Sequence, residues 1–269
     1  MGSIYNLSPP RGAILSVRNL SVFYPRKTKL FQRKVVFSQV LYGVDLDLFA
    51  GKVVALVGES GSGKSTLGEA IAGLLPNVRG DFYFRGTAYN PGRMGSLRKK
   101  IQIIFQDPLS ALHPRLTIGQ TLTEVLKQHR SVSLSVSELL DEVQLPSQAA
   151  GKYPHELSGG QCQRACIARA LAVEPEVLIC DEITSSLDVS IQAKILNLMN
   201  RIIQQHGVAL LFMTHDLHTV HAFADRVLVM HEGRIVEGGD VDQVFYHPRQ
   251  PYTQSLIAAI PGISGISGI

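Results

Sequence analysis

Lys52-Val53-Val54-Ala55-Leu56-Val57-Gly58-Glu59-Ser60-Gly61-Ser62-Gly63-Lys64-Ser65-Thr66 is the stretch on which the fold turns. Lys52–Val57 is a short, mostly apolar run with the length and character of a buried strand. The next eight residues fit G-x-x-x-x-G-K-[ST], and 67–75 continue with helical spacing. Strand, glycine-rich loop and helix, in that order, make a phosphate-binding loop. Glycines let the backbone wrap closely around phosphate oxygens. Successive N–H groups at a helix N-terminus then turn positive partial charge on them. Lys64 adds a full charge near the outer phosphates, and Ser65 is placed to offer its hydroxyl to Mg²⁺. Gly58, Glu59, Ser60, Gly61, Ser62, Gly63, Lys64, Ser65 and Thr66 are the candidate nucleotide site.

Downstream, strands and helices alternate. IQIIF (101–105), VLIC (177–180) and ALLFM (209–213) are apolar runs of the kind buried in parallel sheets, and 191–205 between the last two has helical periodicity. The expected fold class is α/β. VLIC delivers Asp181 and Glu182 at its C-terminal end, where open α/β sheets hold their ligands. Asp181 is the candidate Mg²⁺ ligand, and Glu182 is placed to orient or deprotonate an attacking water. Upstream, 13–24 read as a strand, 25–39 as a basic loop, and Val44, Leu46 and Leu48 alternate with Asp45 and Asp47 as in a half-buried strand. Residues 227–230 and 234–237, split by Glu232-Gly233, read as a hairpin, and 252–260 as a last short helix.

Composition removes other classes. The chain has 269 residues, 45% hydrophobic and 18% charged, enough for a packed core and unlike a disordered chain. A net charge of +4 falls short of a dedicated nucleic-acid binder, and without tryptophan there is no evident stacking platform for single strands. Three cysteines argue against a disulfide framework. No apolar run reaches the roughly 18–20 residues of a membrane span, and 1–15 show no signal-peptide pattern. No internal repeat suggests a duplicated protein.

Leu157-Ser158-Gly159-Gly160-Gln161, followed by Cys162-Gln163-Arg164, narrows the reading further. Here the chain resembles the ATP-binding cassette (ABC) ATPases, whose signature is LSGGQ. The resemblance runs from about 14 to 261. It implies a P-loop, RecA-like core over about 51–77, 96–106 and 158–240. An antiparallel β subdomain covers about 13–50 and 78–95, and a helical subdomain about 107–157. Residues 1–12 and 262–269 are expected to be mobile tails. Gln106 resembles the Q-loop glutamine, a further Mg²⁺ or water contact. His215 resembles the switch histidine that contacts the γ-phosphate. Ser185, Ser186, Leu187 and Asp188 resemble the D-loop, though Ile183 and Ser186 depart from the usual DEPTSALD wording. Tyr24 resembles the aromatic residue that stacks on adenine, with Phe23 the competing neighbour. In this family the signature acts in trans, on nucleotide held by the opposite subunit of a head-to-tail dimer.

FQDPLSALHPRLTIGQTL (105–122), DEITSSLDVSIQAKIL (181–196) and HPRQPYTQSLIAAIP (247–261) further resemble the oligopeptide/dipeptide/nickel importer branch, and the basic stretch 25–39 resembles the second of its two paired ATPases. The resemblance implies ATP and Mg²⁺ as cofactors. It implies a paired ATPase subunit forming a heterodimer, two membrane-spanning permease subunits and an extracytoplasmic substrate-binding protein, with no nucleic acid. The expected place is peripheral, on the cytoplasmic face of the inner membrane. The substrate stays open between peptides, nickel and metal chelates. An exporter ATPase carries the same motifs, but the 247–261 wording favours import. A nucleic-acid-maintenance ABC ATPase would carry a long insertion that is not seen here. His215, His218 and His221 read better as one switch histidine and two helix residues than as a metal site. Cys162, Cys166 and Cys180 read as small core residues. With no cysteine in 262–269, no iron–sulfur centre is expected, and the short tail leans towards the nickel or chelate members.

Overall fold

A computed structural model describes residues 9–26, 36–128, 134–185 and 187–259. Residues 1–8 of the first expected tail, the whole of the second, most of the basic stretch 25–39, and Ser186 lie outside the described residues. In chain order, β1 (Ala13–Arg26), β2 (Val36–Phe49) and β3 (Val53–Val57) precede α1 (Lys64–Ile71), β4 (Val78–Phe84) and β5 (Thr87–Tyr89). Then come α2 (Leu97–Lys100), β6 (Ile101–Ile104), α3 (Pro108–Ala111), α4 (Ile118–Gln128), α5 (Val136–Glu142) and α6 (Gly159–Leu171). The chain continues through β7 (Val177–Asp181), α7 (Val189–His206), β8 (Ala209–Thr214), α8 (Leu217–Phe223), β9 (Arg226–His231), β10 (Arg234–Asp240), α9 (Val241–Tyr246) and α10 (Pro251–Ala258).

Two sheets form. One is antiparallel, in the order β2-β1-β4-β5; the other runs β10-β9-β3-β8-β7-β6. In the second, β9, β3, β8, β7 and β6 are parallel, and β10 returns antiparallel on β9. The apolar runs of β3, β7 and β8 are buried along their whole length because both faces are covered. The pleat sorts them. Leu178, Cys180, Leu210 and Phe212 pack with α4, α5, α6 and α7, while Val177, Ile179, Leu211 and Met213 face α1 and the antiparallel sheet. Ala55 and Val57 of β3 pack with Val220 of α8, Phe245 of α9 and Ile257 of α10.

Three local outcomes differ from the sequence reading. The helix expected through 75 ends at Ile71. Gly73 takes φ +69, its N–H donates to Ala70 O (3.2 Å) and the Leu74 N–H to Glu69 O (2.9 Å), a Schellman close. Asp47 is not on a solvated face. It is 4% exposed and takes two hydrogen bonds, 2.9 and 3.1 Å, from the guanidinium of Arg18, itself 3% exposed. Ser16 pairs directly with Asp47, so Arg18 reaches it as a diagonal cross-strand neighbour. Lastly, α9 was not expected. Among the described residues no helix is long and apolar enough to cross a membrane.

Candidate functional site

The phosphate-loop residues connect the C-terminal end of β3 to α1, with Gly63 at the helix N-cap at φ +110. Glu59, Ser60 and Gly61 are exposed while Ser62 is buried. Lys64 is 5% exposed, and its Nζ donates to Gly58 O (2.8 Å) and Glu59 O (3.0 Å). Burial lowers its pKa, and the carboxylates of Glu182 and Asp181 pull it back up.

Parallel strands bring their C-terminal ends to one edge of the sheet, and the candidate residues collect there. Asp181 ends β7 with its Oδ1 buried and without a hydrogen-bond partner. Burial raises its pKa, a hydrogen bond from Ser65 opposes the rise, Glu182 adds to it and Lys64 opposes it. Glu69, one helical turn beyond Ser65, is also raised, by burial first and then by Asp181. That residue was not anticipated; its i+4 spacing from Ser65 was the available signal.

Glu182 is the point of convergence. Its backbone is left-handed, at φ +48, and its N–H donates to Met213 O of β8 at 2.9 Å. Its Oε2 accepts from Gln106 Nε2 at 3.0 Å. Its Oε1 lies 3.2 Å from His215 Nδ1 and 4.0 Å from Lys64 Nζ. Ser185 Oγ donates to the Glu182 carbonyl (2.9 Å) and lies 3.4 Å from Gln106 Nε2. Three residues read separately from the sequence, Gln106, His215 and Lys64, each beyond a different strand of the parallel sheet, thus surround one carboxylate.

The signature stands apart. Ser158 caps α6: its Oγ accepts from Gln161 N (3.3 Å), and Gln161 Oε1 accepts from Ser158 N (3.0 Å). The amides of Gly159 and Gly160 fall in the first turn, where N–H groups have no helical acceptor. A Cβ on Gly160 would lie 2.6 Å from Ile191 Cγ2 of α7. Leu157 is half-buried against the core over which α6 packs. Among the described residues, no hydrogen bond or ion pair joins 157–161 to 58–66. Of the D-loop residues, Asp188 caps α7 by accepting from Ile191 N (3.0 Å) and Ser190 Oγ (2.7 Å). Those bonds, the Ser190 hydroxyl first, hold its carboxyl below the usual range. Leu187 packs near Gly159.

Tyr24 is exposed near the end of β1, whereas the Phe23 ring carries the Arg79 guanidinium at 5.0 Å. Phe23 is therefore engaged, which leaves Tyr24 as the open ring. The three cysteines are buried and free. Burial pushes the Cys166 thiol up to about 12. His221 is held by the Tyr246 hydroxyl at 3.0 Å. Among the described residues no three His, Cys, Asp or Glu side chains cluster as a metal would need.

Residues 41–185 match the ABC transporter family model. The glutathione import ATP-binding protein GsiA of Escherichia coli (strain K12) is 44% identical over 256 residues, covering 92% of this chain and 41% of that protein. The protein of the same name from Shigella flexneri is equally similar. The chain spans about two fifths of the length of these curated relatives. Its fold is similar to that of cbiO1 from Clostridium perfringens, part of the ABC transporter complex cbiONQ (TM-score 0.73, 29% identity, 88% of this chain and 92% of that one). It is also similar to the ATP-binding cassette MJ0796, a dimer in a post-hydrolysis state bound to ADP and Pi (TM-score 0.71, 26% identity, 84% and 98%). With a matching family model over more than half its length and that model's fold, this chain belongs to the ABC transporter family, as an ATP-binding cassette.

Proposed function

We propose that the chain is the ATP-hydrolysing subunit of an ABC importer, and that it drives uptake of short peptides or related compounds through separate membrane subunits. The hydrolytic reading rests chiefly on the Glu182 carboxylate, held between Gln106, His215 and Lys64 at the end of the loop-bearing sheet. Similarity to a glutathione import ATP-binding protein supports import and the peptide side of the branch, since glutathione is itself a tripeptide. It moves the reading away from nickel and metal chelates.

The roles follow from placement. The amides of 60–65 and the Lys64 ammonium receive the phosphates, and Tyr24 stacks on the base. Glu182 takes a proton from the attacking water while Gln106 holds the carboxylate in place. His215 turns from Glu182 towards the γ-phosphate once that phosphate is present. The unpartnered Asp181 Oδ1 beside the Ser65 hydroxyl suits a hard, oxygen-seeking cation. Ser65, Asp181 and Gln106 are the residues that would hold Mg²⁺. When bound, it neutralises phosphate charge. Ser158 and the glycine amides behind it serve nucleotide on a paired cassette, consistent with their separation from this chain's own phosphate loop. The antiparallel sheet, the core and the helical insertion at about 107–157 form the working divisions. The helical insertion meets two permease subunits on the cytoplasmic face of the membrane, and an extracytoplasmic protein delivers substrate.

Glu182→Gln tests the reading. ATP binding is retained and hydrolysis falls about 100-fold or more, the scale of a lost acid–base group. Near-normal turnover in the assembled transporter would overturn it.

A further inference from the structure

The phosphate loop has a partner far away in the chain. The N–H of Glu59 donates to the hydroxyl of Tyr252, 3.2 Å away and 193 residues later, in the first turn of α10. That amide points out of the loop, while the Glu59 carbonyl accepts from Ser62 N (3.1 Å) and Lys64 Nζ. Glu59 is therefore pinned on both sides.

Tyr252 is itself rigidly mounted. Its ring stacks on His231 at the end of β9, with centroids 3.9 Å apart and planes 27° from parallel. The chain entering α10 is fixed by Glu237 of β10, whose Oε1 and Oε2 accept from Arg249 N (2.8 Å) and Gln250 N (3.1 Å). Thr253 and Ile257 are buried in the same helix, Ile257 against the cluster that holds Val57. Burial lifts the Tyr252 phenol above its ordinary range, the Glu59 amide opposing, so a neutral hydroxyl meets the amide. The region matching the family model ends at 185, well before this helix.

We propose that Tyr252 is a positioning residue for the nucleotide site: α10 uses its hydroxyl to hold the first bend of the phosphate loop in its nucleotide-binding shape. The proposal rests on the reading of 58–66 as that site. An outward bond at Glu59 keeps the following amides turned inward, so less of the loop must be ordered when phosphate arrives. The bond lies outside the loop and does not touch the reacting atoms. Its loss falls on affinity rather than on the chemical step.

Tyr252→Phe keeps the ring and its stack on His231 and removes only the acceptor. The expected result is a Kd for ATP raised roughly 3- to 10-fold, the range of one hydrogen bond. KM rises in parallel, with kcat at saturating ATP unchanged. Amide hydrogen exchange over 58–62 speeds up while α10 keeps its protection. Glu59→Pro removes the donor instead, and in that background Tyr252→Phe has no further effect on affinity. Wild-type affinity in Tyr252→Phe, or unchanged exchange over 58–62, overturns the proposal. So do additive effects of the two substitutions. The exchange measurement needs no nucleotide, so a wild-type chain that fails to bind ATP defeats the site reading separately.

Discussion

Asp181 holds a charge that its surroundings do not fully satisfy. One carboxylate oxygen is buried without a partner, and burial and Glu182 both oppose ionisation. Such groups destabilise the empty protein and persist where function needs them. Asp181→Asn keeps the shape and removes the charge. The nucleotide-free variant is expected to melt about 2–4 °C higher, the shift of about 1 kcal/mol in a domain this size, while Mg²⁺-dependent hydrolysis is lost. A lower melting temperature would show that the carboxylate supports the fold rather than strains it. Residues such as Lys64, Asp181 and Glu182 were legible because each follows an apolar run at a fixed offset. Tyr252 was not, because nothing in the spacing of 252 and 59 announces a hydrogen bond between them. Asp47 failed for a related reason. Its alternation with Leu46 and Leu48 looked like a wet face, but Arg18 covers it from the neighbouring strand.

Among elements, the last short helix, α10 with 8 residues, is legible in the sequence, and α9 with 6 is not. α7 extends 18 residues, enough for several turns of apolar spacing, whereas α9 has 6. Under two turns, periodicity carries almost no signal. Where α6 crosses α7, packing decides a residue that the signature motif had claimed for function. A Cβ at Gly160 would sit 2.6 Å from Ile191 Cγ2. Gly→Ala within a helix ordinarily gains about 1 kcal/mol, but overpacking a tight contact costs about 1–3. Gly160→Ala is therefore expected to be net destabilising in denaturant titration, and Ile191→Ala in the same chain to restore much of the loss. A Gly160→Ala chain more stable than wild type would mean that α7 yields and the glycine is there for the nucleotide alone.

Across the whole molecule, the separation of the signature from the phosphate loop sets how two cassettes share work. Ser158→Arg in this chain costs about 1 kcal/mol as a lost cap, too little to unfold a domain. In a complex with an intact paired subunit, nucleotide on this chain's Lys64 should still be hydrolysed and nucleotide on the partner should not. Site-resolved hydrolysis checks this, and failure at this chain's own site would refute the head-to-tail arrangement. The two sheets and the loop are also joined within the chain, at the β9–β10 turn. Glu232 and Gly233 both take positive φ, +46 and +74, the backbone of a two-residue hairpin turn. Gly233 N donates to Ser62 O and Gly233 O accepts from Tyr42 N, both at 2.9 Å, and a Cβ there would lie 1.9 Å from Val40 O. A hairpin tip is where a protein engineer would first splice in an epitope or a fluorescent reporter. Here the splice would land between the antiparallel sheet and the phosphate loop, so this tip is a poor place for cargo.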